Sequence, residues 1–264
     1  MTIREARLIR SRDNALYKTL SHFSKSSHER RKRGVTLLDG PHLIESFHAA
    51  GHAINILALN ESGAKRPEVA GLFDSVQAYE KIRLSDRLFQ DIAAVNTPTG
   101  IMALVDTPSP KGNPDRKADA LLVETLQDPG NLGSILRSAA AAGVQQVLLS
   151  RASVFAWSPK VLRAGMGAHF ALQIFEDFDL MAFATGFEGT CIAMEAEAPQ
   201  SLFDLRLKGP VAWLLGNEGG GLSAELAALA AARVHIPMSR GIESLNVAAA
   251  AAVCLFERVR QASQ

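Results

Sequence analysis

The chain is poor in cysteine, with only Cys191 and Cys254 among 264 residues, far apart and each inside an apolar run. Neither has a CxxC partner or a Cys/His neighbour, so both read as buried thiols rather than metal ligands or a disulfide. No metal site is expected. Long apolar stretches are missing too, since no run approaches the ~20 residues needed to span a bilayer. The basic residues after Met1 are not followed by the apolar stretch of a secretory signal. These absences predict a cytoplasmic protein with no membrane partner. Phosphate-loop fingerprints also fail. Gly219-Gly220-Gly221 is not followed by the Lys and Ser/Thr of a Walker loop, and Ala224 stands where a GxGxxG loop needs its last glycine. A nucleotide-dependent oxidoreductase is therefore disfavoured.

What is present begins with an uneven charge. The formal net charge is only +1, yet residues 1–33 hold ten Lys/Arg against three acids. The rest of the chain is correspondingly acidic. A basic arm on an acidic body points to a polyanion held at one end, with a solvated helix face as the plain alternative. Arg30, Arg31, Lys32 and Arg33 form its densest cluster.

Apolar runs and turn residues alternate along the whole chain. Ser11–Arg33 has helix-forming composition and stops at Gly34. Val35–Asp39, Ile54–Leu59, Val76–Tyr79 and Gly100–Val105 read as strands, with helices after Gly40-Pro41, near Pro67 and after Ser85. Thr107–Lys117, TPSPKGNPDRK, has the prolines and mixed charge of a linker. From Ala118 the alternation restarts with the apolar run Ala120–Thr125. A turn at Gln127–Asn131 and a helix over Leu132–Ala142 come next, then strands near Gln146, Leu172, Cys191, Val211 and Arg233 and a long helix from about Asn246. Strands alternating with helices imply an α/β protein with a parallel sheet. The division predicted is 1–106, a linker over 107–117, and 118–264.

In such a sheet ligands bind in loops beyond the carboxyl ends of the strands, and three of these loops are rich in Gly, Asn, Glu and Ser. In Asp128-Pro-Gly-Asn-Leu-Gly-Ser-Ile-Leu-Arg137, Asn131 and Arg137 fall near a helix N-terminus suited to an anion, although Gly130 and Asn131 also suit a simple turn and cap. In Trp213-Leu-Leu-Gly-Asn-Glu-Gly-Gly-Gly-Leu222 the glycines permit close backbone approach to a ligand, and a Glu218 buried there needs a partner. Val234-His-Ile-Pro-Met-Ser-Arg-Gly-Ile-Glu-Ser-Leu-Asn246 runs into the last helix, with Ser244 as its expected N-cap.

Taken in order, these loops resemble the signatures of the SpoU branch of the SPOUT RNA methyltransferases, which includes TrmH-type proteins. The matching stretches are Asn131-Leu-Gly-Ser-Ile-Leu-Arg-Ser-Ala139, Leu215-Gly-Asn-Glu-Gly-Gly-Gly-Leu222, and Ile236-Pro-Met with Ser244-Leu-Asn-Val247. Residues 11–106 resemble, less specifically, the ribosomal-protein-like substrate-binding domain attached to rRNA-modifying members, around Leu38-Asp-Gly-Pro-His-Leu-Ile-Glu45. The resemblance implies a C-terminal parallel-sheet SPOUT domain with a deep trefoil knot, a smaller N-terminal α/β RNA-binding domain, and a homodimer. It implies S-adenosylmethionine as methyl donor, no metal, and transfer to a ribose 2′-hydroxyl of RNA, rRNA before tRNA. A non-catalytic RNA-binding or ribosome-assembly protein on the same fold would show erosion of the polar residues, and they are all present. Asn131, Arg137, Glu218, Ser244 and Asn246 would form the catalytic cluster. Gly216, Ile236 and Leu245 would contact the donor through their backbones. Arg163 would face RNA or a second subunit. Ala248 and the late position of Gly241 depart from the family pattern. Trp157 and Trp213 read as packing residues, and His42 as an RNA contact.

Overall fold

A computed structural model describes residues 6–93, 95 and 97–263; Arg4 and Glu5 of the basic arm lie outside them. The chain forms two compact units. One comprises the chain up to Pro108 together with 157–170; the other comprises 109–156 and the chain from Ala171 onward.

The first unit runs β1 (Arg7–Ile9), α1 (Ala15–Lys25), α2 (Ser27–Arg33), β2 (Val35–Asp39), α3 (Pro41–Ala49), β3 (Ile54–Asn60), α4 (Glu61–Ala64), α5 (Pro67–Ser75), β4 (Ala78–Leu84), α6 (Asp86–Gln90) and β5 (Ile101–Asp106). Its sheet has the order β1-β4-β3-β5-β2, with β1, β4 and β3 parallel and β5 antiparallel to both β3 and β2. The single helix expected over 11–33 is two helices. Ser26 is extended, at φ −128° and ψ 105°, and its side chain caps α2 by accepting from the Glu29 N–H. An N-cap serine satisfies an otherwise orphaned donor, so a break here costs little. The α2 helix does end at Gly34, left-handed at φ 62°. Tyr17 and Leu20 of α1 bury against Leu37, Ile56, Ala58 and Leu104 of the sheet.

In the second unit β6 (Ala120–Val123), α7 (Pro129–Ala141) and β7 (Gln146–Leu149) come first. Next in the chain is α8 (Pro159–Gly165), which belongs to the first unit, where Thr36 Oγ1 donates to the Trp157 carbonyl at 2.8 Å. The second unit continues with β8 (Gln173–Phe175), α9 (Leu180–Thr185), β9 (Thr190–Met194), β10 (Gln200–Ser201), β11 (Val211–Leu215), α10 (Ala224–Ala227), β12 (Ala232–His235) and α11 (Val247–Ala262). Its seven strands are all parallel, in the order β10-β12-β9-β11-β6-β7-β8. The central strands β6 and β11 are buried throughout, as a sheet covered on both faces requires. Trp213 and Trp157 are both buried packing residues, as expected.

The proline-rich stretch after Thr107 is not free along its length. Lys111 N–H donates to Gln173 Oε1 and Asp115 N–H to Gln146 Oε1, both at 2.8 Å, so this segment is tied to the second unit. The last helix is likewise anchored. Arg258 reaches Asp119 Oδ2 at 3.2 Å and the Gly209 carbonyl at 2.8 Å, while Asp119 Oδ1 accepts from Val211 N–H. Packed against α7, α11 brings its N-terminus to the carboxyl ends of β6 and β11.

Candidate active site

Each of the three loops is set by a local capping arrangement. Asp128 is the N-cap of α7 and accepts from the Asn131 N–H at 2.7 Å, with Pro129 in the first helical position. The turn expected over Gln127–Asn131 is therefore already helix from Pro129, because proline is preorganised for that position. Asp128 does the capping, which leaves the Asn131 side chain for other work. At α11 the cap is Asn246 rather than Ser244: Asn246 Oδ1 accepts from Ala248 N–H at 3.0 Å and Ala249 N–H at 3.3 Å.

The loop after β11 closes on itself. Asn217 and Gly221 exchange two backbone hydrogen bonds of 3.0 Å each. Gly221 is left-handed at φ 66°. A Cβ on Gly216 would fall 2.0 Å from the Gly221 carbonyl carbon and 2.3 Å from the Leu222 nitrogen, so only glycine fits. Asn217 secures the turn from within. Its Oδ1 accepts from Gly219 N–H at 2.8 Å and its Nδ2 donates to the Thr125 carbonyl at 2.8 Å.

Side chains from all three loops then join in one chain of hydrogen bonds. Asn246 Nδ2 donates to Asn131 Oδ1 at 2.9 Å, and Asn131 Nδ2 donates to Glu218 Oε1 at 2.9 Å. Glu218 is exposed rather than buried, and Asn131 is the partner it was expected to need. Asn246 thus uses both ends of its amide, the oxygen to start α11 and the nitrogen to orient Asn131.

Beside this relay lies a cavity of about 530 Å³, within the usual range for a small-molecule site. Gly216, Ile236 and Leu245 line it, and so do Glu218, Ser244 and Asn246. Among the described residues, the backbones of Gly216, Ile236 and Leu245 make no hydrogen bond, although Gly216 is buried. Buried backbone groups need partners, so the cavity presents a cradle that a ligand with donors and acceptors would complete. Cys254 is on the wall, but burial pushes its thiol up to about 12, which leaves it protonated and inert as a nucleophile.

Residues 120–256 match the SpoU rRNA methylase family. The chain belongs to that family. It is 32% identical, over 86% of its own length and 90% of the relative's, to the 23S rRNA (guanosine(2553)-2′-O)-methyltransferase RlmP of Bacillus subtilis. A crystal structure of an RNA 2′-O ribose methyltransferase superposes with a TM-score of 0.83, covering 97% of this chain and 100% of that one at 28% identity. The SpoU methyltransferase AviRb of Streptomyces viridochromogenes, solved with its cofactor AdoMet, gives a TM-score of 0.85 over 95% of this chain and 99% of that one, at 25% identity.

This chain is an S-adenosylmethionine-dependent RNA methyltransferase of the SPOUT class. Its cavity fits that donor: three open backbone positions are available to its polar edges, and Met194, Val234 and Ile236 offer apolar surface. Among the described residues, no group of three or more His, Cys, Asp or Glu converges as a metal site.

Not every expected site residue meets at the SpoU cavity. Asn131 stands just behind its wall, tied to two residues that line it. Ser244 is on the wall but exposed and without a hydrogen bond among the described residues. Arg137 is exposed on α7, lines no part of the cavity and has no hydrogen bond or ion pair among the described residues.

The RNA-facing set needs one correction. Arg30 is only 4% exposed, and its Nη1 donates to the carbonyls of Phe23 and Ser24. It joins the end of α1 to α2, and burial lowers its pKa. Arg31, Lys32, Arg33 and, on α8, Arg163 are exposed. His42 Nε2 lies 3.2 Å from the Met166 carbonyl oxygen, so its side chain is already engaged. A concavity of about 580 Å³ on the first unit is lined by Arg12, Lys18, His22 and Lys25 together with Asp91, which pairs with Arg12.

Two residues that position the site were not singled out in the sequence. Asn217 was visible only as a neighbour of Glu218, although an Asn among glycines is a common side-chain-stapled turn. Glu124 accepts from Ser223 N–H at 2.7 Å and from Ser223 Oγ at 2.8 Å, fixing where the glycine loop leaves the site. A carboxylate ending the apolar strand Ala120–Val123 was its only signal.

Proposed function

We propose that this enzyme transfers a methyl group to the 2′-hydroxyl of one rRNA nucleotide, working as a homodimer with its donor cradled in the knotted second unit and its RNA captured by the first. The observation carrying this reading is the Asn246–Asn131–Glu218 relay at the mouth of the cavity, which leaves the polar residues of three separate loops intact and mutually oriented. A non-catalytic relative would have no need of it.

When bound, the donor supplies an electrophilic methyl already activated by its sulfonium charge. The protein's task is then to orient the weakly nucleophilic hydroxyl and to stabilise charge as its proton leaves. Glu218, held by Asn131, stays at the rim as an acceptor for a ribose hydroxyl. Arg137 orients and stabilises the developing oxyanion or a neighbouring phosphate. It does not act as the base, because a guanidinium presents only donors and has no acceptor for the hydroxyl proton. Since Arg137 lies outside the cavity of its own subunit, a second copy supplies it.

The test is a map of 2′-O-methylation across total RNA from cells lacking the protein, followed by in vitro restoration with the purified enzyme and donor. One rRNA ribose should lose its methyl group and regain it. Loss at a tRNA position would move the substrate, and methylation on a base would overturn the reaction. Co-expressing Arg137→Ala with Glu218→Ala tests the dimer: a shared site restores one intact centre per heterodimer, and a heterodimer without activity refutes sharing.

A further inference from the structure

The charged lining of the donor cavity has a single sign. Glu195, just past the end of β9, and Glu218 both line it, while no Lys, Arg or His does so among the described residues. The Glu195 side chain is only 17% exposed. Arg233 grips one of its oxygens, Oε2, through Nε at 2.8 Å and through Nη2. Oε1 has no partner among the described residues. The Arg233 guanidinium is 55% exposed and lines the groove on the other side of the loop, not the cavity. Its charge is therefore partly screened by water, while its fork fixes the carboxylate in place.

We propose that Glu195 is the specificity residue that makes this cavity favour the cationic sulfonium donor over the neutral thioether left after transfer. The inference rests on the methyltransferase reading above. Donor and product share adenine, ribose, ammonium and carboxylate, and differ by one methyl and one positive charge. Hydrogen bonds to the shared groups hold both equally, so they cannot release one and keep the other. A fixed carboxylate that is itself largely buried in the cavity wall, where its field is screened less than in open water, separates them by charge. Once the methyl has left, that attraction disappears and the product is free to exchange.

The experiment is calorimetric binding, independent of turnover, on the full-length wild type, Glu195→Gln and Glu195→Asp. The probes are S-adenosylmethionine, S-adenosylhomocysteine, and an analogue bearing an amine-substituted carbon in place of the sulfonium. Glu195→Gln keeps shape and hydrogen bonding but removes the charge. It should weaken both cationic ligands about tenfold, ~1.4 kcal/mol, and the neutral product by less than about twofold. Glu195→Asp should keep the wild-type ratio. Equal weakening of all three ligands would mean that Glu195 holds a shared group, and no weakening would mean that it holds nothing; either overturns the proposal. If Glu195→Gln does not fold, Arg233→Gln serves instead: removing the counter-charge should raise the donor-to-product affinity ratio about threefold, and an unchanged or lower ratio overturns it. Wild type that binds none of the three ligands would sink the methyltransferase reading itself, which keeps the two failures apart.

Discussion

Replacing Gly216 by alanine puts a methyl group where the chain already runs. The added Cβ would sit 2.0 Å from the Gly221 carbonyl carbon, 2.2 Å from its oxygen and 2.3 Å from the Leu222 nitrogen. Carbon atoms rest at ~3.5 Å or more, so the two backbone segments must part by roughly 1.5 Å. All three atoms are backbone, and no side-chain rotation relieves the clash. The separation breaks the paired Asn217–Gly221 hydrogen bonds and moves the cavity wall with them. Overpacking of this kind costs about 1–3 kcal/mol, or about 2–10 °C in melting temperature for a domain of this size. Donor affinity should fall by about tenfold or more, since the displaced Gly216 backbone is part of the cradle. Gly220→Ala is the control, because a Cβ there meets nothing within 4 Å. Calorimetric melting and donor titration on both variants decide the matter. If Gly216→Ala melts and binds like Gly220→Ala, the close approach of the two segments has no energetic weight and the argument fails.

Three further outcomes are expected. Asn246→Asp keeps the cap oxygen of α11 but loses the Nδ2 donor to Asn131, so melting should stay within about 1 kcal/mol of wild type while single-turnover methyl transfer falls about a hundredfold; unchanged transfer would show the relay to be idle. Neutralising Arg31, Lys32 and Arg33 to Gln should lower the salt slope of RNA binding by about two, whereas Arg30→Gln should lower the melting temperature and leave the slope nearly intact; equal effects from the two variants would contradict the burial of Arg30. Glu257, bonded to Arg260 at 2.7 and 2.8 Å and to Gln261 at 2.7 Å, has its carboxyl lowered from 4.5 to about 2. Its stabilisation is present above about pH 4.5 and lost as the pH falls towards 2, so the stability gap between wild type and Glu257→Gln should close over that window in acid denaturation.

The parallel sheet of the second unit was legible because its strands are short apolar runs punctuated by glycine, and burial on both faces writes hydrophobicity into every position. The three loops were legible because close approach and capping select Gly, Asn and Ser. What escaped was work done by long-range pairing. β1 has only three residues, and its place beside β4 depends on a partner more than seventy residues away. The break at Ser26 is invisible to composition, because serine is tolerated in helices and reveals itself as a cap only when its side chain turns to Glu29. Arg30 shows the same limit in charge patterning. Of four adjacent basic residues that composition cannot tell apart, one is spent closing the α1–α2 corner.

The charge of the site bears on the proposed sharing of sites between two copies of the chain. RNA brings a phosphate with every nucleotide, yet the cavity wall offers Glu195 and Glu218 and no cation among the described residues. A ribose placed at Glu218 would set its phosphates against a field of their own sign. Arg137 is the cation of the signature helix, but six residues beyond Asn131 it stands ~9 Å further along the axis and turned away from it. It is exposed and unpaired among the described residues, which is an unusual state for a group that SpoU chemistry would place against an anion. Under the proposed sharing of sites, this exposed arginine on α7 serves the site of the second copy rather than its own. The proposed homodimer would bring together an acidic cavity and a cation to orient the phosphate. In that arrangement the donor's positive charge and the RNA's negative charge would each be met by a different subunit, so neither ligand would be bound at the expense of the other.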